Sequence, residues 1–104
     1  MMSYKIDFSS LDWTQKPGAQ QKEVIFGENK MRLLELDDSF VEQTWCEKGH
    51  YGYVLEGTLS IVFGGELVTF NAGDGMVIPS GTKHKAVVAS GDKAVLMLLE
   101  EVEE

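Results

Sequence analysis

Two histidines and one cysteine, His50, His84 and Cys46, are the residues of this 104-residue chain best equipped for chemistry. An imidazole can move a proton near neutral pH or bind a transition metal, and a thiolate is both a nucleophile and a soft metal ligand. Each also has a plainer reading. A histidine at the end of a strand can simply be hydrogen-bonded, the Lys48-Gly49-His50-Tyr51-Gly52 stretch suits a solvent loop, and a single cysteine is most often a small buried apolar side chain. Glu42 and Glu47 read first as surface carboxylates. Strand alternation would put Glu42, Thr44 and Cys46 on one face, so Glu42 could reach an inward-facing site together with Cys46. Tyr51, Tyr53, Phe63 and Phe70 suit core or pocket wall, and Tyr53 and Phe63 are assigned to the pocket. No G-x-S-x-G elbow, phosphate-binding glycine loop, dinucleotide fingerprint or C-x-x-C pair occurs, which leaves serine hydrolase, NTPase, dehydrogenase and thioredoxin-like chemistry without support.

The elements that must position these side chains read as short strands. From residue 23 onward, apolar segments are punctuated by Gly27, Gly49, Gly57, Gly64-Gly65, Gly73, Gly81 and Gly91. Residues 58–63 alternate with period two, Gly64-Gly65 turns the chain, and residues 67–70 return as the partner strand. Residues 76–78 form the next strand, ended by Pro79, which cannot donate to a ladder. Residues 84–90 and 93–102 follow as strands, the latter with a protruding acidic end. Residues 23–26, 30–36 and 40–45 are strands in the first third. Residues 9–21 contain Pro17-Gly18 and no sustained period, so residues 1–22 are expected to form an irregular arm, anchored by Phe8, Leu11 and Trp13 on the barrel or on a partner subunit. About eight short strands with regular turns favour a closed all-β barrel or jelly roll, which hides strand edges.

One segment carries a specific pattern. Gly73-Asp-Gly-Met-Val-Ile-Pro79-Ser-Gly81-Thr-Lys-His84 resembles the second motif of the cupins, G-x5-P-x-G-x2-H, at every fixed position up to the histidine. The asparagine that often follows is Val88 here. The first motif, G-x5-H-x-H-x3-4-E-x6-G, is matched only at its close, Tyr53-Val54-Leu55-Glu56-Gly57; counting back, its glutamate falls at His50. With the shorter spacer its histidines fall at Thr44 and Cys46, with the longer at Gln43 and Trp45. The resemblance implies a double-stranded β-helix (jelly-roll) barrel with His84 turned inward. It further implies a pocket lined by His84, His50, Tyr53 and Phe63, and a metal site of His84, His50 and Cys46, with Glu42 as a weaker fourth ligand. The ion would be one divalent transition metal, Zn, Fe, Ni, Cu or Mn, or none at all. The functions implied are metal-assisted oxygenase, isomerase, epimerase or decarboxylase chemistry. The alternative is a metal-free module that binds a sugar or organic acid without catalysis. Similar cupins pair, so a homodimer is expected.

Composition sets the remaining bounds. One domain spanning residues 1–104 is expected, because a second core would lack material. Seventeen acidic against nine basic residues give a formal charge of −8, which repels phosphate backbones and anionic lipids and leaves a small molecule as the expected partner, with neither nucleic acid nor membrane. A lone cysteine precludes an intrachain disulfide and fits the cytoplasm. The longest apolar run, residues 94–99, is far short of the ~20 residues that span a bilayer.

Overall fold

The computed structural model describes residues 4–102. After a short 3₁₀ turn at Phe8–Ser10 come eight strands: β1 (Thr14–Lys16), β2 (Ala19–Phe26), β3 (Asn29–Asp37), β4 (His50–Phe63), β5 (Glu66–Asn71), β6 (Gly75–Ile78), β7 (His84–Val87) and β8 (Lys93–Glu101). Every pairing is antiparallel. One layer runs β1-β2-β3-β8 and on to the first half of β4, with β6 on the far side of β4. The second half of β4 lies between β5 and β7 in the other layer. The fold is the all-β jelly-roll barrel that the turn rhythm and the motif implied.

β4 changes layers at a bulge. Its register against β8 slips between Val54 and Glu56, and Gly57 then adopts φ 78°. A Cβ on Gly57 would sit 1.9 Å from the Lys93 carbonyl oxygen, so only glycine fits. The extra residue inverts which side chains face inward. Before it, His50 and Val54 are buried; after it, Leu59 and Ile61 are. Tyr53 lies on the outward parity of the first half and is 50% exposed, which removes it from the predicted pocket.

The inner faces meet in a core of Leu36, Leu59, Ile61, Met76, Ile78 and Leu96, among others, and Val88, at the place of the asparagine frequent in the resembled motif, joins it. Fully burying each of the larger side chains contributes about 1.5–3 kcal/mol.

Two stretches differ from expectation. Residues 9–21 are not irregular throughout: Thr14–Lys16 pairs with the start of β2 around Pro17-Gly18, so the expected boundary at residue 22 falls inside a strand. Gly18 takes φ 73° and passes so close to Phe40 that a Cβ would lie 2.3 Å from its nitrogen. No apolar period marks this hairpin, because its strands are polar on both faces, with Gln20 and Gln21 half-buried. The preceding segment lies against this layer, where Lys22 Nζ donates to the Phe8 carbonyl at 2.8 Å and lies 4.8 Å from the centre of the Trp13 ring. Residues 40–45, in turn, form no strand; the isolated bridges Val41–Val87 and Cys46–His84 and a hydrogen bond from Ala86 N to Glu42 Oε1 tie this segment to β7. The strand expected over 84–90 stops at Val87. The acidic residues Glu103 and Glu104 lie outside the described residues. Among the described residues, no helix is long and apolar enough to cross a membrane.

Candidate functional site

His50 and His84 open β4 and β7, and both rings are buried, 8% and 3% exposed. Cys46 joins them because its backbone exchanges both hydrogen bonds with His84, each 2.9 Å. The turn at Pro79 to Gly81 fixes the approach: Gly81 N donates to the Glu47 carbonyl at 2.8 Å, and a Cβ on Gly49 would lie 2.9 Å from Ser80 N. The two imidazoles meet edge to face with centroids 5.0 Å apart, and Cys46 Sγ lies 3.9 Å from His50 Nε2. One ligand atom from each of Cys46, His50 and His84 falls within 4.8 Å of the other two.

Hydrogen bonds orient both rings. His84 Nδ1 lies 2.8 Å from the Thr82 carbonyl oxygen, which can only accept, so this nitrogen carries the hydrogen and Nε2 keeps its lone pair. His50 Nδ1 contacts the Glu100 carboxylate, with the same consequence for its Nε2. Glu100 is 4% exposed and is gripped by Arg32, whose Nε and Nη2 donate to its two oxygens at 2.6 and 3.1 Å, while Nη1 donates to Gln21 Oε1 at 2.9 Å. Burial pushes the Glu100 carboxyl up, but hydrogen bonds from His50 and Arg32 and the guanidinium charge outweigh it and hold the group at about 2. A polar chain thus crosses the inner face of the sheet from β2 to β4 and ends beside Cys46.

Next to this cluster lies a cavity of about 220 Å³. Leu34, Leu36, Leu96 and Leu98 wall it on one layer and Leu59 and Ile61 on the other, with Lys16 and Lys48 also contributing to its lining. Residues 42–100, more than half of the chain, match the family model described as the cupin domain. The chain belongs to the cupin family. Solved cupin-like structures agree over most of its length. The polyketide cyclase RemF from Streptomyces resistomycificus superposes with a TM-score of 0.82 at 19% identity, covering 98% of this chain and 81% of its own. KdgF from Halomonas sp. gives 0.75 at 26% identity, with 100% and 97% covered. An RmlC-like cupin from Shewanella frigidimarina gives 0.78 at 17%, with 99% and 94% covered. No curated protein matches the chain.

Within this cupin, His84, His50 and Cys46 come together as a group. Glu42 lines the same cavity, but its Oε1 accepts a hydrogen bond from Ala86 N at 3.0 Å, and it lies outside the close Cys/His/His cluster. Thr44 does not line the cavity, since residues 40–45 are not a strand and do not alternate as one. Phe63 packs against the core and tilts toward His84 with centroids 6.2 Å apart, behind the ring and not among the cavity's lining residues. Tyr53 points away, as β4 dictates. No motif marks Glu100 or Arg32, and Glu100 sits at the head of an acidic run. Its signal was parity: Ala94, Leu96, Leu98 and Glu100 form one inward row of β8.

Proposed function

We propose that this cupin binds a small molecule in its barrel beside one divalent transition metal held by Cys46 Sγ and the Nε2 atoms of His50 and His84. The observation that carries the proposal is that one ring nitrogen of each histidine and the Cys46 thiol lie within 4.8 Å of one another, while acceptors engage Nδ1 of both imidazoles and leave each Nε2 its lone pair. Tetrahedral zinc sites separate N and S donors by about 3.4–3.6 Å, so the 3.9 Å between Cys46 and His50 closes with a small side-chain adjustment. A thiolate with two imidazoles suits zinc, iron or copper better than nickel or manganese. Three protein ligands leave a position open, and an ion there supplies a Lewis acid to a bound oxygen atom.

The chain's own contribution is orientation and exclusion of water. Glu100 holds the His50 ring through Nδ1, the Thr82 carbonyl holds that of His84, and the leucine side chains give the cavity apolar walls. A second copy of the chain covering the apolar outer face around Tyr51, Val77 and Leu99 completes the assembly, and a reducing cytoplasm keeps Cys46 available as a thiol.

Metal analysis of untagged protein tests the reading. One ion per chain is expected, with most of it lost in His84→Ala. Absence of metal from both proteins, after incubation with zinc and ferrous iron and desalting, would overturn it in favour of a metal-free binding module.

A further inference from the structure

The three side chains of the site are not held alike. His50 and His84 are 8% and 3% exposed, stand at the first positions of β4 and β7, and have Nδ1 fastened by Glu100 and by the Thr82 carbonyl. Cys46 is half-buried and lies on the segment between β3 and β4, which meets β7 through isolated bridges and single hydrogen bonds rather than a continuous ladder. Its place in the wall differs too. Cys46 lines the inner cavity and also an outer cleft, together with Thr44, Trp45, Glu47 and Ser80, whereas neither histidine lines that cleft. Tyr51, Val77 and Leu99, the face assigned to a second copy of the chain, are not part of it either.

We propose that Cys46 is a site of reversible oxidation by hydrogen peroxide, reached through the outer cleft, and that its oxidation releases the ion; the release rests on the metal reading above. A thiol open to solvent is available to an oxidant where a sealed one is inert. The surroundings tie that event to the site. His84, buried, offers an Nε2 with no partner among the described residues, and one of its ring nitrogens lies within 4.8 Å of the Cys46 sulfur. The Cys46 sulfur itself lies 3.9 Å from His50 Nε2. A ligand shared by these three groups therefore feels any change at sulfur.

In the step, sulfur gives an electron pair to one oxygen of the peroxide: an S–O bond forms as the O–O bond breaks, sulfur is oxidised by two electrons and the peroxide is reduced. The departing hydroxide takes up the thiol proton in the empty site, or a solvent proton where an ion has already displaced that proton, and leaves as water. The sulfenic acid so formed is a poorer donor than a thiolate, and two imidazoles alone hold a divalent ion weakly. Cys46 is the one cysteine among the 104 residues, so no second cysteine of the chain resolves the product. A low-molecular-weight thiol does so from outside: it condenses with the sulfenic acid to a mixed disulfide and water, and a second equivalent reduces that disulfide and restores Cys46.

Treatment of the folded protein, metal-free and zinc-loaded, with hydrogen peroxide in the presence of dimedone, which traps sulfenic acids, tests the proposal. Peptide mass analysis locates the adduct, and a chromophoric chelator reports free zinc. An adduct at Cys46 is expected in both samples, with one zinc lost per modified chain; without dimedone, excess glutathione should restore the thiol and zinc binding. Thr44→Trp, which adds bulk at an exposed position of the cleft outside the cavity, should slow adduct formation several-fold. Cys46→Ser should give neither adduct nor peroxide-driven zinc release. A Cys46 that stays unmodified in the folded protein yet reacts once unfolded in denaturant, zinc retained by the oxidised protein, or a rate indifferent to Thr44→Trp would each overturn the proposal. The two readings separate cleanly: an adduct in protein that binds no zinc sinks the metal centre and leaves Cys46 as an oxidation site, whereas bound zinc without an adduct sinks only the oxidation site.

Discussion

Glu100 shows how one buried carboxylate can govern a site it does not enter. It fixes the His50 tautomer and is itself fixed by Arg32 through two hydrogen bonds. Supporting carboxylates of this kind typically contribute 10–100-fold to metal affinity. Glu100→Gln should therefore lower zinc affinity by about that factor in a competition titration with a chromophoric chelator. In metal-free protein it should also shift the neutral His50 ring away from the Nδ1–H form, read from the nitrogen chemical shifts of the ring. Unchanged affinity together with an unchanged tautomer would remove Glu100 from this role. The same residue predicts a pH dependence. Its carboxyl is held at about 2 against an ordinary value of 4.5, so its contribution to stability is fully present above pH 4.5 and is lost as pH falls toward 2. Denaturant titrations of metal-free protein should show wild type losing stability more steeply than Glu100→Gln across that window.

Strands are the elements that make these contacts possible, and their legibility in the sequence was uneven for a physical reason. Residues 58–71 announce a hairpin because one face of each strand packs on the core and the other meets water, which writes a period of two. The two turns at Gly73 and Gly81, on either side of β6, were legible because these residues sit at φ 97° and 92°, conformations that only glycine adopts readily. β1 and the start of β2 were illegible because their inward side chains are polar. The outward turn of Tyr53 was illegible because it follows from a one-residue bulge that no periodicity displays. That bulge yields its own prediction. Gly57→Ala should destabilise the fold by more than about 1 kcal/mol, since the added methyl meets the Lys93 carbonyl at a positive φ. Leu96→Ala, in the centre of β8 and 2% exposed, should cost about 2–5 kcal/mol through lost burial and the cavity left behind. Chemical denaturation monitored by tryptophan fluorescence measures both, and a change under 0.5 kcal/mol, the ordinary range of an exposed site, would contradict the packing described.

At the scale of the whole molecule, the barrel has a polar and an apolar outer surface. Tyr51 pairs with Leu99 on one side and Val77 on the other, and these side chains are 60%, 38% and 72% exposed. Such a contiguous apolar sheet face suits a second copy of the chain. Light scattering at micromolar concentration should find a dimer, and Tyr51→Glu with Leu99→Glu should give a folded monomer; a wild-type monomer would refute the pairing. The inside of the molecule is divided as well, with leucine and isoleucine side chains from both layers lining the cavity and Cys46, His50 and His84 gathered at one place. Cobalt substitution probes that gathering most directly, because cobalt(II) takes zinc-like sites and reports a bound thiolate by a charge-transfer band in the near ultraviolet. One equivalent of cobalt should produce that band together with the visible absorption of a tetrahedral ion, and Cys46→Ser should abolish the first while His84→Ala weakens both. A spectrum no different from that of cobalt in buffer would contradict the account at its centre.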